Sequence, residues 1–209
     1  MKVSVIIPAY NEEKYLERTL KAIKDTEVIV VCNGCTDRTE DIAQKYATKV
    51  LVLTEKGVSR ARNAGAGAAT HSRLVFLDAD ILVDDTVLKY ISESSYSLGT
   101  CYVKADSPYF FDRLAMRIKS QCHRFGYCTG LIFIDKNLFE KLGRFNEKLS
   151  AGEDGKLLRA GKRQGGFGVV HGYVYNNMRR FRQKGYLRIC LYWIKQGLLP
   201  SKKEYESVR

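Results

Sequence analysis

Apolar residues in this 209-residue chain fall into short β-branched runs, separated by longer stretches with helical spacing. Val3–Ile7 is the first run, and Pro8-Ala9-Tyr10-Asn11 breaks it. Asn11 is placed to cap a helix with Glu12 and Glu13 in its first turn, where the helix dipole favours acids. Tyr15, Leu16, Leu20 and Ile23 form that helix's apolar face. Val28–Val31 predicts a second strand, Thr36 or Asp37 opens a helix through Ile42, Ala43 and Tyr46, and Val50–Leu53 predicts a third strand. An Ala-rich helix follows over Gly57–Ala69, then a run of four apolar residues, Leu74–Leu77, that reads as a strand buried on both faces. Four strands alternating with three helices predict βαβ crossovers and a parallel sheet.

Beyond residue 80 the pattern is less regular. Asp84 is placed to cap a helix through Val87, Leu88 and Ile91; Tyr96–Val103 and Gly130–Ile134 read as strands, and Phe110–Phe125 as an amphipathic helix. A helical turn is expected over Leu138–Leu142. A helix bearing Leu157, Leu158 and Ala160 and a short strand through Val169, Val170, His171 and Val174 come next. The stretch from Met178 to Leu199 mixes arginines with Phe181, Tyr192, Trp193 and Ile194. No repeat, low-complexity segment or linker interrupts the chain, so one α/β domain over residues 1–209 is expected.

Hydrophobic content of 45% and charged content of 28% are those of a soluble globular protein. No apolar run reaches the ~18–20 residues of a spanning helix, and the first apolar run is too short for a signal peptide. A cytoplasmic location with reduced cysteines is the expectation. Charge divides the chain sharply. Residues 1–100 hold 13 Lys and Arg against 14 Asp and Glu, whereas residues 101–209 hold 22 against 9. The second half is therefore expected to meet something anionic.

The candidate chemistry begins at Asp78-Ala79-Asp80, directly after the Leu74–Leu77 strand. Ligands bind at this edge of an open α/β sheet, and two acids one residue apart invite a divalent cation, although a solvated turn would carry the same residues. Neither a G-x-G-x-x-G turn nor a Walker lysine follows strand one, which argues against dinucleotide and P-loop chemistry. Further candidates are the turns Pro8-Ala9-Tyr10-Asn11-Glu12 and Asn33-Gly34-Cys35-Thr36-Asp37, the helical Ala61-Arg62-Asn63-Ala64-Gly65, and Gly152-Glu153-Asp154.

These five motifs, in this order over residues 3–154, resemble the family 2 glycosyltransferases of the GT-A fold. The resemblance implies a Rossmann-like, mostly parallel sheet flanked by helices. Residues 1–100 would be a nucleotide-sugar half and residues 101–209 an acceptor half, ending in an amphipathic helix. It implies that Pro8, Ala9, Tyr10 and Glu12 cradle base and ribose, that Asn33 reaches a ribose hydroxyl, and that Asp37 reads the base. Arg62 would face the diphosphate or brace the metal site. Asp78, Ala79 and Asp80 would hold the nucleotide and, through Asp78 and Asp80, Mg²⁺ or Mn²⁺. Asp154 would be the general base of an inverting transfer, with Glu153 positioning the acceptor or a loop. His171 is a candidate further metal ligand, with a purely structural role as the other reading. Asp37 as a helix cap and Arg62 as a surface arginine are also open.

The chain departs from the family's pattern at Asn33 and Cys35, where an acid and a serine are usual, and at Lys156, where a further acid is usual. Cys32 and Cys35 form a C-x-x-C, but no second such pair supports a zinc or redox site. The processive members' Gln-x-x-Arg-Trp signature is absent, so transfer of one sugar is expected. The partners implied are a UDP- or GDP-linked sugar and a lipid-linked or glycan acceptor. The basic aromatic tail either docks on a membrane or packs its apolar face on the domain. Two rival functions are weaker. A nucleotidyltransferase would carry a Gly-rich basic loop after strand one. A nucleic-acid-binding module would leave the five motifs unexplained, so no nucleic-acid partner is expected.

Overall fold

The computed structural model describes residues 3–84, 86–122, 130–149, 152–189 and 191. Its backbone is an eight-stranded sheet with helices on both faces. The first half holds β1 (Val3–Ala9), α1 (Leu16–Lys21), β2 (Glu27–Asn33), α2 (Thr39–Tyr46), β3 (Lys49–Leu53), α3 (Val58–Ala68) and β4 (Arg73–Leu77). The second half holds β5 (Ile81–Val83), α4 (Val87–Glu93), β6 (Leu98–Ala105), α5 (Phe110–Cys122), β7 (Leu131–Asp135), α6 (Lys136–Lys141), α7 (Glu153–Lys162), β8 (Phe167–Asn176) and α8 (Arg179–Lys184). Every helix and strand expected before residue 80 is present, within a few residues at its ends. The spatial order is β3-β2-β1-β4-β7-β6-β8-β5. The β3-β2-β1-β4 half is parallel, β7 runs antiparallel between β4 and β6, and β6 pairs parallel with β8.

Alternation along the inner strands sorts side chains into two cores. Val3, Val5, Ile7 and Ala9 of β1 and Val75 and Leu77 of β4 face one side, with Leu16 and Leu20 of α1, Ile91 of α4 and Met116 of α5. Ile6, Leu74 and Phe76 face the other, with Ala61 and Ala66 of α3, Phe139 of α6 and Leu158 of α7. Small residues let α3 lie close to the sheet: a Cβ on Gly65 would stand 2.4 Å from the Ile6 side chain. Strand order reverses at β1, which leaves a crevice between the C-terminal ends of β1 and β4, where α/β sheets bind ligands.

Three expectations are corrected. The three-residue β5 was not expected; it follows Asp80 directly and pairs antiparallel with the end of β8. The strand expected at Val169–Val174 extends to ten residues, with a register shift opposite Cys101 and Tyr102 that leaves His171 and Gly172 as extra residues. Asn11 does not cap α1. It sits at φ 52°, Tyr15 takes the N-cap position, and the Asn11 side chain bonds Thr36 instead. The last residues of the helix expected to Phe125, and Tyr192, Trp193 and Ile194 of the tail, lie outside the described residues.

Candidate active site

β1 and β4 run side by side, with Ile6 opposite Phe76, so the Pro8–Glu12 turn and Asp78-Ala79-Asp80 emerge together. Hydrogen bonds lock both segments. Thr19 Oγ1 donates to the Ala79 carbonyl at 2.8 Å, and the Glu12 N–H donates to Thr39 Oγ1 at 2.7 Å. The strand-two turn closes against them: Asp37 accepts from the Glu13 N–H at 3.2 Å and from the Thr39 N–H at 3.0 Å. Burial opposes ionisation of Asp37, but the bonds from Thr39 and Glu13 outweigh it and hold its pKa below the usual carboxylate range. Asp37 therefore braces the start of α2, where Arg38 takes the N-cap position, and remains half-buried at the crevice.

Asn33 is corrected more strongly. It is buried, its Nδ2 donates to the Ala9 carbonyl at 2.7 Å, and its Oδ1 accepts from the Gly57 N–H at 3.0 Å. Its amide ties β1 to the loop before α3, which takes it away from a ribose. Cys35 Sγ donates to the same Ala9 carbonyl at 3.4 Å. Tyr10 stays at the crevice mouth with the Lys56 ammonium 4.5 Å from its ring centroid.

Arg62 joins the two halves of the site. Projecting from α3, its side chain is 9% exposed, and it donates from Nη2 to Asp78 at 2.9 Å and from Nη1 to Glu153 at 2.6 Å. Ninety-one residues separate Arg62 from Glu153, yet one guanidinium holds both the Asp78 carboxylate after β4 and the Glu153 carboxylate at the start of α7. The next residue supports the same junction from the other side: Asn63 exchanges hydrogen bonds with the Phe145 backbone and donates to Glu147 at 2.8 Å. Within Ala61-Arg62-Asn63-Ala64-Gly65, then, Arg62 serves the acids, Asn63 the preceding loop and Gly65 the sheet.

Gly152, at φ 79°, lets the chain turn sharply into α7, so that Glu153 points inward and Asp154 stays half-buried at the helix start. Burial and the adjacent Asp154 charge push the Glu153 pKa up, against the pull of Arg62. Asp154 Oδ1 accepts from the Gly155 N–H at 2.7 Å.

Asp80 has a cation that the sequence did not flag as special. The Arg179 guanidinium lies 3.2 Å from Asp80 Oδ2 and donates to both oxygens of Glu12, at 2.8 and 2.9 Å. Burial and the Asp78 charge raise the Asp80 pKa, and Arg179 and Arg180 oppose the rise. The pairing of β8 with β5 explains why Arg179 arrives there. Asn176 stands opposite Ile81, so the residues just after β8 fall beside Asp80. Only that register distinguishes Arg179 from its neighbours in an arginine-rich stretch.

His171 is not brought to the acids. The β5–β8 register puts residue 177 opposite Asp80, and His171 is six positions away, roughly 15–20 Å along the strand. It is exposed, with its ring centroid 6.2 Å from that of Tyr90, so it is withdrawn as a metal ligand. In the described part of the tail Met178, Phe181 and Ile189 are buried and Arg182 pairs with the buried Asp112 at 2.6 Å, whereas Leu187 and Leu191 are exposed.

Comparison with known proteins adds ancestry to this geometry. The chain is 36% identical over 120 residues to a dolichol-phosphate mannosyltransferase of Pyrococcus furiosus, covering 50% of this chain and 34% of that protein. It is 32% identical over 103 residues to the Bacillus subtilis glycosyltransferase EpsJ, covering 44% of this chain and 30% of that protein. This chain spans about a third of the length of each. Among solved structures, Staphylococcus aureus TarS in complex with UDP-GlcNAc superposes with a TM-score of 0.71 at 22% identity, over 86% of this chain and 59% of that one. The mannosyltransferase PcManGT of Pyrobaculum calidifontis, in complex with GDP-Man and Mn²⁺, gives 0.64 at 21% identity, over 93% of this chain and 64% of that one. Both likenesses show the GT-A fold that the motifs implied. Residues 4–148 match the model of glycosyl transferase family 2, and the chain belongs to that family.

Proposed function

We propose that this chain transfers one sugar from a nucleoside diphosphate sugar to an acceptor hydroxyl or a polyprenyl phosphate, with inversion at the anomeric carbon. The observation that carries the reading is the shared guanidinium of Arg62, which sets Asp78 of the donor-side strand and the Glu153-Asp154 pair on opposite sides of one site. The Pro8–Glu12 turn and Asp37 line the nucleotide side. Glu153, held by Arg62, fixes the start of α7, and Asp154 is the general base that takes the acceptor's proton. The relatives and structural neighbours, among them proteins described with UDP-GlcNAc and GDP-Man, support a UDP- or GDP-linked donor. Lipid-linked and glycan acceptors both suit the reading.

The residues present fit a hard divalent ion. Asp78 and Asp80 offer oxygen ligands at one strand end, and burial plus mutual repulsion leave Asp80 in need of positive charge. Among the described residues no group of three or more His, Cys, Asp or Glu stands together, so the protein would supply one or two carboxylates and the diphosphate and water the rest. Bound Mg²⁺ or Mn²⁺ would neutralise charge on the leaving nucleoside diphosphate. Arg179 holds Asp80 and Glu12 in place from the other side.

The test uses the full chain with a panel of UDP- and GDP-sugars and Mn²⁺, following thermal stability and release of nucleoside diphosphate. One donor should stabilise the fold, and Asp154→Asn should retain that stabilisation while losing about 10²–10⁴-fold in turnover. Unchanged turnover in Asp154→Asn removes it as base, and stabilisation by none of the donors removes the transferase reading.

A further inference from the structure

Helix α5 buries Met116 in the core but carries a second apolar stripe on its outer face. Its polar Asp112 and Ser120 face inward: Asp112 is fully buried and bonded by Arg182, Ser107 and Tyr186, and Ser120 Oγ accepts from the Val103 N–H. Its outward stripe, four residues apart, is Phe110, Leu114 and Ile118, which are 70%, 42% and 59% exposed. Phe111 at 68% lies edge-on to Phe110 and widens the stripe. Leu187, 74% exposed, follows Tyr186, whose hydroxyl together with Arg182 ties that segment to Asp112 at the start of the helix. A contiguous surface of large apolar side chains on a soluble domain marks an interaction site.

The charges around the stripe choose the occupant. Arg113 and Arg117 project on one flank, and Arg188 stands beside Leu187, all exposed. Asp112 is the single acid in residues 107–122, residues 178–191 contain none, and Asp112 is already neutralised. A second copy of this chain would bring two basic surfaces together at close range, which repels. A bilayer with acidic headgroups accepts both halves of the pattern: arginines pair with phosphate, and phenylalanines enter the acyl boundary.

We propose that the outward face of α5, with Leu187, docks this protein on an anionic lipid bilayer. The inference adds to the transferase reading and does not depend on it, since lipid binding and donor binding are read separately. It assigns membrane contact to α5 together with Leu187 of the basic tail. Docking would also set the site's rim close to the lipid, because Arg182, which holds Asp112, is three residues from Arg179 on Asp80.

The test is co-sedimentation of the full chain with phosphatidylcholine vesicles, with and without phosphatidylglycerol. Wild type should partition onto the phosphatidylglycerol vesicles and come off as salt is raised. Phe110→Ser with Phe111→Ser should lower that partition about tenfold or more, and Arg113→Glu with Arg117→Glu should remove the preference for phosphatidylglycerol. Both variants should keep the wild-type unfolding temperature and donor-induced stabilisation, since these side chains lie on the surface. The proposal is overturned if wild type ignores both vesicles or if the two variants bind as wild type does. It is equally overturned if light scattering shows a wild-type dimer that the Phe110→Ser, Phe111→Ser variant breaks without any change in lipid binding.

Discussion

Replacing Arg62 by alanine tests the junction on which the proposed site depends. Its pair with Glu153 spans 2.6 Å between side chains only 9% and 8% exposed. Removing one partner of such a pair strands the other charge in the interior, at a cost of about 3–5 kcal/mol. The second pair, to Asp78, adds less than about 1 kcal/mol, because the Asp78 side chain is 44% exposed and solvent screens it. Urea unfolding of Arg62→Ala should therefore show a loss of about 3–5 kcal/mol, or a melting temperature lower by roughly 6–20 °C for a domain of this size. Most of that loss is the stranded carboxylate, so adding Glu153→Gln should restore at least about 1 kcal/mol. The pH dependence carries a definite sign. Burial and the Asp154 charge already raise the Glu153 pKa, with Arg62 opposing them, so without Arg62 the rise is larger. A carboxyl with a raised folded-state pKa contributes stability that is fully present below its unfolded pKa and lost as pH rises through the folded value. The deficit of Arg62→Ala against wild type should therefore be smaller at about pH 5 than at about pH 8. A loss under about 1 kcal/mol, with no rescue by Glu153→Gln, would falsify the view that this pair is a buried ionic junction.

Two glycines of α3 give opposite expectations. Gly65→Ala puts a Cβ 2.4 Å from Ile6 and 3.2 Å from Val31 and should cost about 1–3 kcal/mol in urea unfolding. Gly67→Ala meets nothing within 4 Å and should gain up to about 1 kcal/mol from helix propensity; equal effects at both positions would show that α3 is not seated on the sheet through Gly65. Asp80→Asn should abolish any Mn²⁺-dependent rise in melting temperature measured with nucleoside diphosphate present. A rise equal to the wild type's would place the cation elsewhere.

The first half of the fold was legible because its signals are local. Each strand there is an unbroken β-branched run, each helix carries its own apolar spacing, and parallel pairing follows from the alternation itself. The motif residues Arg62, Asp78 and Glu153 were also visible as candidates. That one guanidinium would hold both acids was not, since the two carboxylates lie 75 positions apart in the chain and meet only when α7 packs on the sheet face that carries α3. Asn33 misled for the same reason. Its place in a motif turn suggested a ligand contact, whereas burial between β1 and the loop before α3 uses its amide for bracing. The three-residue β5 was invisible because so short a run is stabilised by its partner β8 and not by its own composition.

By itself the sequence determined the parallel α/β half, the order of the strand-end turns and the family, all of which rest on contiguous residues and their spacing. Tertiary structure decided the roles that depend on register and on which face points inward. Pairing of β5 with β8 delivers Arg179 to Asp80 and carries His171 away from it. The seating of α5 turns Asp112 toward the core and Phe110 toward solvent, a choice that the amphipathic reading of Phe110–Phe125 left open. Hydrophobic periodicity marks that a helix has two faces; what each face meets is set by the elements packed against it, here the Arg182 side chain that neutralises Asp112 and the Tyr186 hydroxyl that donates to it.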